Sequence, residues 1–260
     1  PIPNKVNKLI CLKYNFISEY VTFICYDNGL YIFAKWMFQK KGEINSINPT
    51  SVTLSKDATL LVSSIGNELN GGIQKINYGE DDGWESFNTG LPIVNDSIKA
   101  LDIVNKNDTL FVGLSNGLYF SVNDGNNWLP VSEFEGMEVN HFKLNSKNEL
   151  YFIVSGSGVK SGAYKNMQMY YNEVLPLSAI TISRKDEVFL ASSIKGKGVF
   201  YTNDDGLNWT EYYDGLDSAE ITALTVDTAG MVYAGTNGSG LYQRKFTATS
   251  VNDNQKEYNI

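Results

Sequence analysis

Histidine, arginine, cysteine and proline are all scarce in this chain of 260 residues, which holds one His, two Cys and six Pro. Each shortage excludes something. A lone imidazole, His141, leaves no credible Ser-His-Asp set. Arg184 and Arg244 are the only arginines, so no clamp of three guanidinium forks around a carboxylate can be built. Two Cys and one His fall short of a four-ligand zinc site unless carboxylates join them, and no metal is expected. No apolar run reaches the roughly 18 residues of a membrane-spanning helix, so membrane insertion is not expected. Basic charge is short as well. The formal net charge is −8 and the pI about 4.8, which argues against nucleic acid or an anionic membrane as the main partner, since both need a basic face. No leader segment is visible before Pro1, as expected of a mature or trimmed chain. Cys11 and Cys25 fall on neighbouring predicted strands, where either a disulfide or two buried thiols is conceivable.

Aromatic residues are plentiful at 13%, with 16 Tyr and 13 Phe, and they suit strands. Apolar residues alternate over short runs, and no window carries a helical stripe, so the chain reads as all-β. A Gly followed by an apolar or aromatic strand recurs at Gly29, Gly72, Gly117, Gly162, Gly198 and Gly240, at intervals of 43, 45, 45, 36 and 42 residues. A period near 40–45 with several strands per unit is the mark of a propeller array. Each unit opens with an inner strand, such as 98–104 or 221–226. A polar turn follows, at 105–108 or 227–230, then a second strand, a Gly/Asn/Ser loop and the third strand. The sixth unit stops after its third strand, and residues 1–6 or 247–251 are candidates for the missing outer strand.

The clearest repeated stretch is Gly198-Val-Phe-Tyr-Thr-Asn-Asp-Asp-Gly-Leu-Asn-Trp209, with a second copy in Gly117-Leu-Tyr-Phe-Ser-Val-Asn-Asp-Gly-Asn-Asn-Trp128. Asn and Asp bond backbone groups two residues on and tolerate left-handed conformations. Gly supplies positive φ without steric cost. The Trp ring is then expected to fold back and bury itself beneath the turn, its indole N–H on a carbonyl. Both stretches resemble the Asp box, or bacterial neuraminidase repeat, Ser/Thr-x-Asp-x-Gly-x-x-Trp. Thr202, Asp204, Gly206 and Trp209 fit it in full; Ser121, Gly125 and Trp128 fit it with Asn123 in the Asp position and Asp124 beside it. The other copies are decayed. Asp81-Asp-Gly-Trp84 has its Trp directly after Gly, and Met167–Tyr171 stands where the fourth box should be. The resemblance implies a β-propeller of six Asp-box repeats, with each box pinning the turn between third and fourth strands at the blade periphery, a structural role. An EF-type calcium loop is not expected at 203–206, because alternate oxygens and a distal Glu are missing.

Asp-box propellers include sialidases, xyloglucan-type glycoside hydrolases, sortilin-like receptors and photosystem II assembly factor-like proteins. The arginine count excludes a sialidase and weighs against an arginine patch of the assembly-factor kind. A glycoside hydrolase needs two carboxyl groups roughly 5–10 Å apart. Its weak candidates are Asp96, Asp217 and Glu220, with Glu138 beside them, on loops feeding inner strands. The alternative is that these are ordinary solvated acids. The loops between second and third strands place Asn67, Asn70, Lys160, Lys195, Lys197 and Asn237 where they can bond sugar hydroxyls or a protein loop. None of these loops is a phosphate cradle, for no Lys-Ser/Thr ending and no helix follows, and no cofactor is expected. The expectation is an extracytoplasmic binding or scaffold propeller, secreted or at the cell surface, over residues 1–246. Its partner would be a surface glycan or a protein, and 247–260 would be a tail or linker, similar to those before C-terminal sorting domains. The alternatives are a glycoside hydrolase with paired carboxylates, or a structural repeat region of a larger secreted protein.

Overall fold

Asn, Ser and Asp set the rhythm of the fold at the turn after the first strand of five repeats. Ser55 Oγ accepts from Thr59 N at 3.1 Å, Asn105 Oδ1 from Asp108 N at 3.1 Å, and Asn145 Oδ1 from Glu149 N at 2.8 Å. Ser183 Oγ accepts from Glu187 N at 3.2 Å and Asp227 Oδ1 from Met231 N at 2.8 Å. In every case a short polar side chain replaces a backbone acceptor and closes the turn. The alternating apolar runs on either side then pair as antiparallel strands.

The structure is a computed structural model. It describes residues 6–245 apart from 15–18, 27–28, 35–36, 42–47, 58, 68, 70, 77–84, 157–160, 172–174, 213–214 and 217–218, and for 6–47 it describes the backbone. The chain divides into two compact units, Pro1–Asn140 and His141–Ile260.

In the first unit β1 (Val6–Tyr14), β2 (Glu19–Tyr26), β3 (Gly29–Ala34) and β4 (Met37–Lys41) form one four-stranded meander. The next eight strands are β5 (Asn48–Leu54), β6 (Leu60–Asn67), β7 (Gly72–Ile76), β8 (Glu85–Ser86), β9 (Ser97–Lys106), β10 (Thr109–Leu114), β11 (Gly117–Ser121) and β12 (Leu129–Pro130). They make two meanders joined into one sheet, because the end of β6 pairs with the start of β9 through Ile65↔Lys99, Gly66↔Ile98 and Asn67↔Ser97. A single 3-10 turn, Ser132–Phe134, follows.

β13 (Glu138–Leu144) leads into the second unit and pairs in order with β14 (Leu150–Ser155), β15 (Gly162–Lys165) and β16 (Gln168–Tyr171). β17 (Leu177–Ile182), β18 (Val188–Ser192), β19 (Val199–Thr202) and β20 (Thr210–Tyr212) form the next sheet. β21 (Ile221–Val226), β22 (Met231–Thr236) and β23 (Leu241–Lys245) form the last. Each of the six Gly anchors sits at the start of a third strand or one residue before it. The sheets are not six separate four-stranded ones: the second and third repeats are fused through β6 and β9, and the last sheet has three strands among the described residues. Residues 1–5 and 246–260 lie outside the described residues.

The cores lie between successive meanders. Leu61, Ile73, Ile98, Ala100, Ile103, Leu110, Val112 and Trp128 are buried together in the first unit. In the second, Tyr151, Ile153, Tyr171, Ile180, Leu190 and Phe200 fill one layer, and Ala179, Phe189, Ala191, Val199, Ile221 and Ala234 the next. Two features correct the alternation argument. Strict alternation in 139–144 would put His141 on one face with Val139 and Lys143, but its φ is 57° and the buried residues are Val139 and Phe142. A bulge-like kink at 140–141 shifts the phase by one residue. In the first sheet Cys11 lies opposite Thr22, and Cys25 opposite Lys8. Three strand positions is about 10 Å, beyond the roughly 7 Å Cα separation a disulfide can span.

Candidate functional site

The two complete boxes fold into the same turn. Ser121 Oγ donates to Asn123 Oδ1 at 2.8 Å and accepts from Gly125 N at 2.9 Å, while Asn123 Oδ1 also accepts from Asn127 N at 3.0 Å. Thr202 Oγ1 donates to Asp204 Oδ1 at 2.8 Å and accepts from Gly206 N at 3.0 Å, while Asp204 Oδ1 accepts from Asn208 N at 3.0 Å. Bonds from the Asn208 side chain, its N–H and Thr202 hold the Asp204 carboxyl below the usual carboxylate range. Gly125 at φ 86° and Gly206 at φ 83° complete the turns. The residue before each Gly reaches to the preceding repeat. Asp124 Oδ1 accepts from Lys56 N at 3.2 Å, and Asp205 Oδ1 from Lys165 Nζ at 2.6 Å.

The tryptophans differ. Trp128 is 1% exposed, with its indole N–H on Phe87 O at 2.7 Å and its backbone N–H on Thr89 O at 2.9 Å. Trp209, expected to be equally buried, is only half-buried, edge-on to Tyr170 and Tyr171 at 5.5 and 4.7 Å. Among the described residues, the preceding repeat offers it two tyrosine rings. The decayed fourth copy has no box: Asn166 and Met167, at φ 47° and 69°, make a two-residue turn between β15 and β16. Asp81–Trp84 lies outside the described residues.

Four of the candidate binding and acid residues come together on one rim of the second unit. The loop 193–197 is closed by Lys197 N donating to Ile194 O at 3.2 Å, and Gly196 N donates to Ala219 O at 3.3 Å. Next to it Asn237 N donates to Glu220 O at 2.9 Å, and Asn237 Nδ2 to Glu220 Oε2 at 3.1 Å. Lys195, Lys197 and Asn237 are exposed, and Glu220 is half-buried. The backbone bonds tie these loops together, and both lysines and Asn237 are exposed along the edge, with Glu220 half-buried beside them. In the first unit, the Asn67↔Ser97 pair sets Asn67 beside Asp96. Asn95 and Asp96, at φ 50° and 56°, form a two-residue turn between Val94 and Ser97. Asp96 is exposed, and Leu69, Ile93 and Val94 give this rim an apolar character. Glu138 is half-buried and accepts from Asn140 Nδ2 at 3.0 Å. Asn70, Lys160 and Asp217 lie outside the described residues.

Two groups escaped sequence reasoning. Asp102 is a carboxylate only 3% exposed in β9, at a position where β5 carries Val52 and β17 carries Ile180. Lys165 lies between the Tyr151 and Tyr170 rings, 5.7 and 6.0 Å from their centroids, and bonds Glu149 Oε1 at 3.1 Å besides Asp205. Burial works to lower its pKa, but the bonds to Asp205 and Glu149 outweigh that and hold it above the usual lysine range. Burial raises the Tyr170 hydroxyl well above the usual tyrosine range. Nothing local in Gly162-Ala-Tyr-Lys165 marks this lysine, because its partners come from three different strands or turns. Among the described residues no three His, Cys, Asp or Glu converge as metal ligands.

Solved structures share this arrangement of strands. Virginiamycin B lyase from Staphylococcus aureus, solved with quinupristin, superposes with a TM-score of 0.63 at 12% identity, over 93% of this chain and 82% of that one. YCF48 bound to D1 peptide gives 0.63 at 12% identity, over 94% and 83%. The extracellular domain of BT4673 from B. thetaiotaomicron gives 0.51 at 12% identity, over 92% of this chain and 38% of that one. The shared fold is that of β-propeller proteins. No protein-family model and no curated protein sequence matches the chain. Among the described residues no helix is long and apolar enough to cross a membrane.

Proposed function

We propose that the chain is a six-repeat Asp-box propeller over residues 1–246, with 247–260 as a tail, that acts outside the cytoplasm as a binding or scaffold module. Its partner is a surface glycan or a protein. The observation that carries this reading is the rim of the second unit, where Lys195, Lys197, Glu220 and Asn237 stand on backbone pinned by bonds between separate loops. Such an edge recognises a ligand without reorganising, which lowers the cost of binding. The strongly perturbed groups, Lys165 and Tyr170, sit instead at the seam between repeats, where they join sheets. In this reading the boxes built on Ser121, Asp124, Gly125 and Trp128, and on Thr202, Asp204, Gly206 and Trp209, are staples. Peptide binding by YCF48 and the extracellular setting of the BT4673 domain are compatible with it.

A glycan array read alongside a peptide panel and a hydrolysis screen tests the proposal. Binding without turnover is expected, weakened tenfold or more by the double change Lys195→Ala, Lys197→Ala. Wild-type hydrolysis abolished by Asp96→Asn or Glu220→Gln would instead establish the glycoside hydrolase reading.

A further inference from the structure

Asparagine is a chemically labile side chain, and a following glycine makes it more so. The main-chain nitrogen of the glycine can attack the side-chain carbonyl carbon, because no Cβ stands in the way. The Asn-Gly pair occurs at Asn28, Asn70, Asn116 and Asn237, of which Asn28 and Asn70 lie outside the described residues. The other two have opposite settings. Asn116 is half-buried in the two-residue turn between β10 and β11, and its main-chain carbonyl accepts from Gly136 N at 2.9 Å. Gly117 is buried, and a Cβ on it would stand 2.9 Å from Tyr119 Cε2. Asn237, Gly238 and Ser239 are instead exposed in the loop between β22 and β23. Thr236 clamps the base of that loop, donating from N and Oγ1 to Gly240 O at 3.1 and 2.7 Å. Beyond the clamp Gly238 takes φ 80°, and a Cβ on it would meet nothing within 4 Å. Among the described residues the Gly238 N–H has no acceptor.

We propose that Asn237 is a self-modification site, at which the folded chain deamidates without enzyme or cofactor. The Gly238 nitrogen, once it has lost its proton to hydroxide, attacks Asn237 Cγ. The bond from Cγ to Nδ2 breaks, the amide nitrogen takes a proton from water and leaves as ammonia, and a cyclic imide forms. Water then opens the imide at either carbonyl, which gives aspartate or isoaspartate. The net exchange is one water taken up for one ammonia released, with nothing oxidised or reduced. Asn116 is held back because its peptide unit is fixed by the bond from Gly136 and Gly117 is covered by the Tyr119 ring. At Asn237 the product puts a carboxylate where the amide donated to Glu220 Oε2 at 3.1 Å. Two like charges then meet, and the tie between this loop and the start of β21 is lost. The site lies in the rim proposed above as a binding edge, but the reaction is intramolecular and does not depend on what that rim binds.

The test ages the whole folded chain in mildly alkaline buffer beside the same chain unfolded in urea, and maps both by mass spectrometry. In the folded chain the peptide holding Asn237 is expected to exchange NH2 for OH at least tenfold faster than the peptide holding Asn116, with isoaspartate among its products. In urea the two rates should converge, because both pairs are then open. Gly238→Ala adds a Cβ that hinders the attack and has room to stand, and it should slow the reaction at Asn237 tenfold or more. Asn237 remaining intact in the folded chain while the urea sample reacts would overturn the proposal. So would Asn116 keeping pace with it in the folded chain, a difference between the two that persists in urea, or a rate that Gly238→Ala leaves unchanged. None of these results bears on whether the rim binds a glycan or a protein, so the proposed function stands or falls separately.

Discussion

Two glycines in identical turns should answer the same substitution differently. Gly125 and Gly206 both hold positive φ, and a Cβ in that region costs about 1–2 kcal/mol. At Gly125 the added carbon meets Phe87 and Trp128 at 3.5 Å, ordinary contact. At Gly206 it meets the Tyr170 ring at 2.8 Å. Gly125→Ala should therefore lower stability by about the φ cost alone, and Gly206→Ala by clearly more; urea melts of the two variants check this. The tryptophans are unequal in the opposite sense. Trp128→Ala removes a fully buried ring and its bond to Phe87 O, and should cost about 3–5 kcal/mol. Trp209→Ala should cost less, because water already reaches that ring. Equal losses would show that the second box is as closed as the first.

Between elements, charge and hydrogen bonding join neighbouring repeats in the second unit. Lys165 on β15 ties Glu149, beside its own sheet, to Asp205 in the next box, and its side chain is 16% exposed. Lys165→Met keeps the packing against Tyr151 and Tyr170 but leaves Glu149 without its cation. A loss of about 1–3 kcal/mol is expected, with Asp205→Asn costing less because that side chain is mostly in water. Asp186, in the turn between β17 and β18, makes a second tie: it accepts from Ser146 Oγ at 2.6 Å and Ser146 N at 2.8 Å. Those bonds, the hydroxyl's first, hold its carboxyl below the usual range. The folded pKa is thus the lower one, so the stabilisation is complete above the unfolded value of about 3.9 and disappears as pH falls through the folded value. The melting-temperature gap between wild type and Ser146→Ala should be full at neutral pH and close steadily in acid. A gap independent of pH would show that Asp186 contributes no charge-linked stability.

At the scale of the whole molecule the acidic balance is the main lever. With a formal charge of −8 and a pI near 4.8, self-repulsion keeps copies apart at neutral pH and vanishes near the isoelectric point. Solubility should pass through a minimum close to that pH, read by light scattering across a pH series, and salt should blunt the dependence. The same balance opposes polyanionic partners at either rim. A shift in solubility minimum of more than a unit from the sequence value would mean that titrating groups besides Lys165, Tyr170 and the lowered carboxyls are strongly perturbed in the fold.

What the sequence determined by itself was local and periodic. Alternation laid down the strands, and the Gly spacing placed all six third strands; at Gly72, Gly162, Gly198 and Gly240 the turn takes a positive φ, which a residue without Cβ adopts freely. The Ser/Thr-x-Asp/Asn-x-Gly turns were legible because every bond within them spans four residues or fewer. Tertiary structure alone decided the rest, and in each case the partner lies far along the chain. β6 joins β9 by an edge that no local pattern reserves. His141 turns out of phase because one residue is bulged, which alternation counts as regular. Trp128 is sealed by Phe87 and Thr89, whereas Trp209 meets two tyrosines, though the boxes read alike. Lys165 looks like any strand lysine until Glu149 and Asp205 are brought to it. Burial and pairing across repeats depend on which side chains the neighbouring sheet presents, and that is a property of packing, which a repeat motif does not encode.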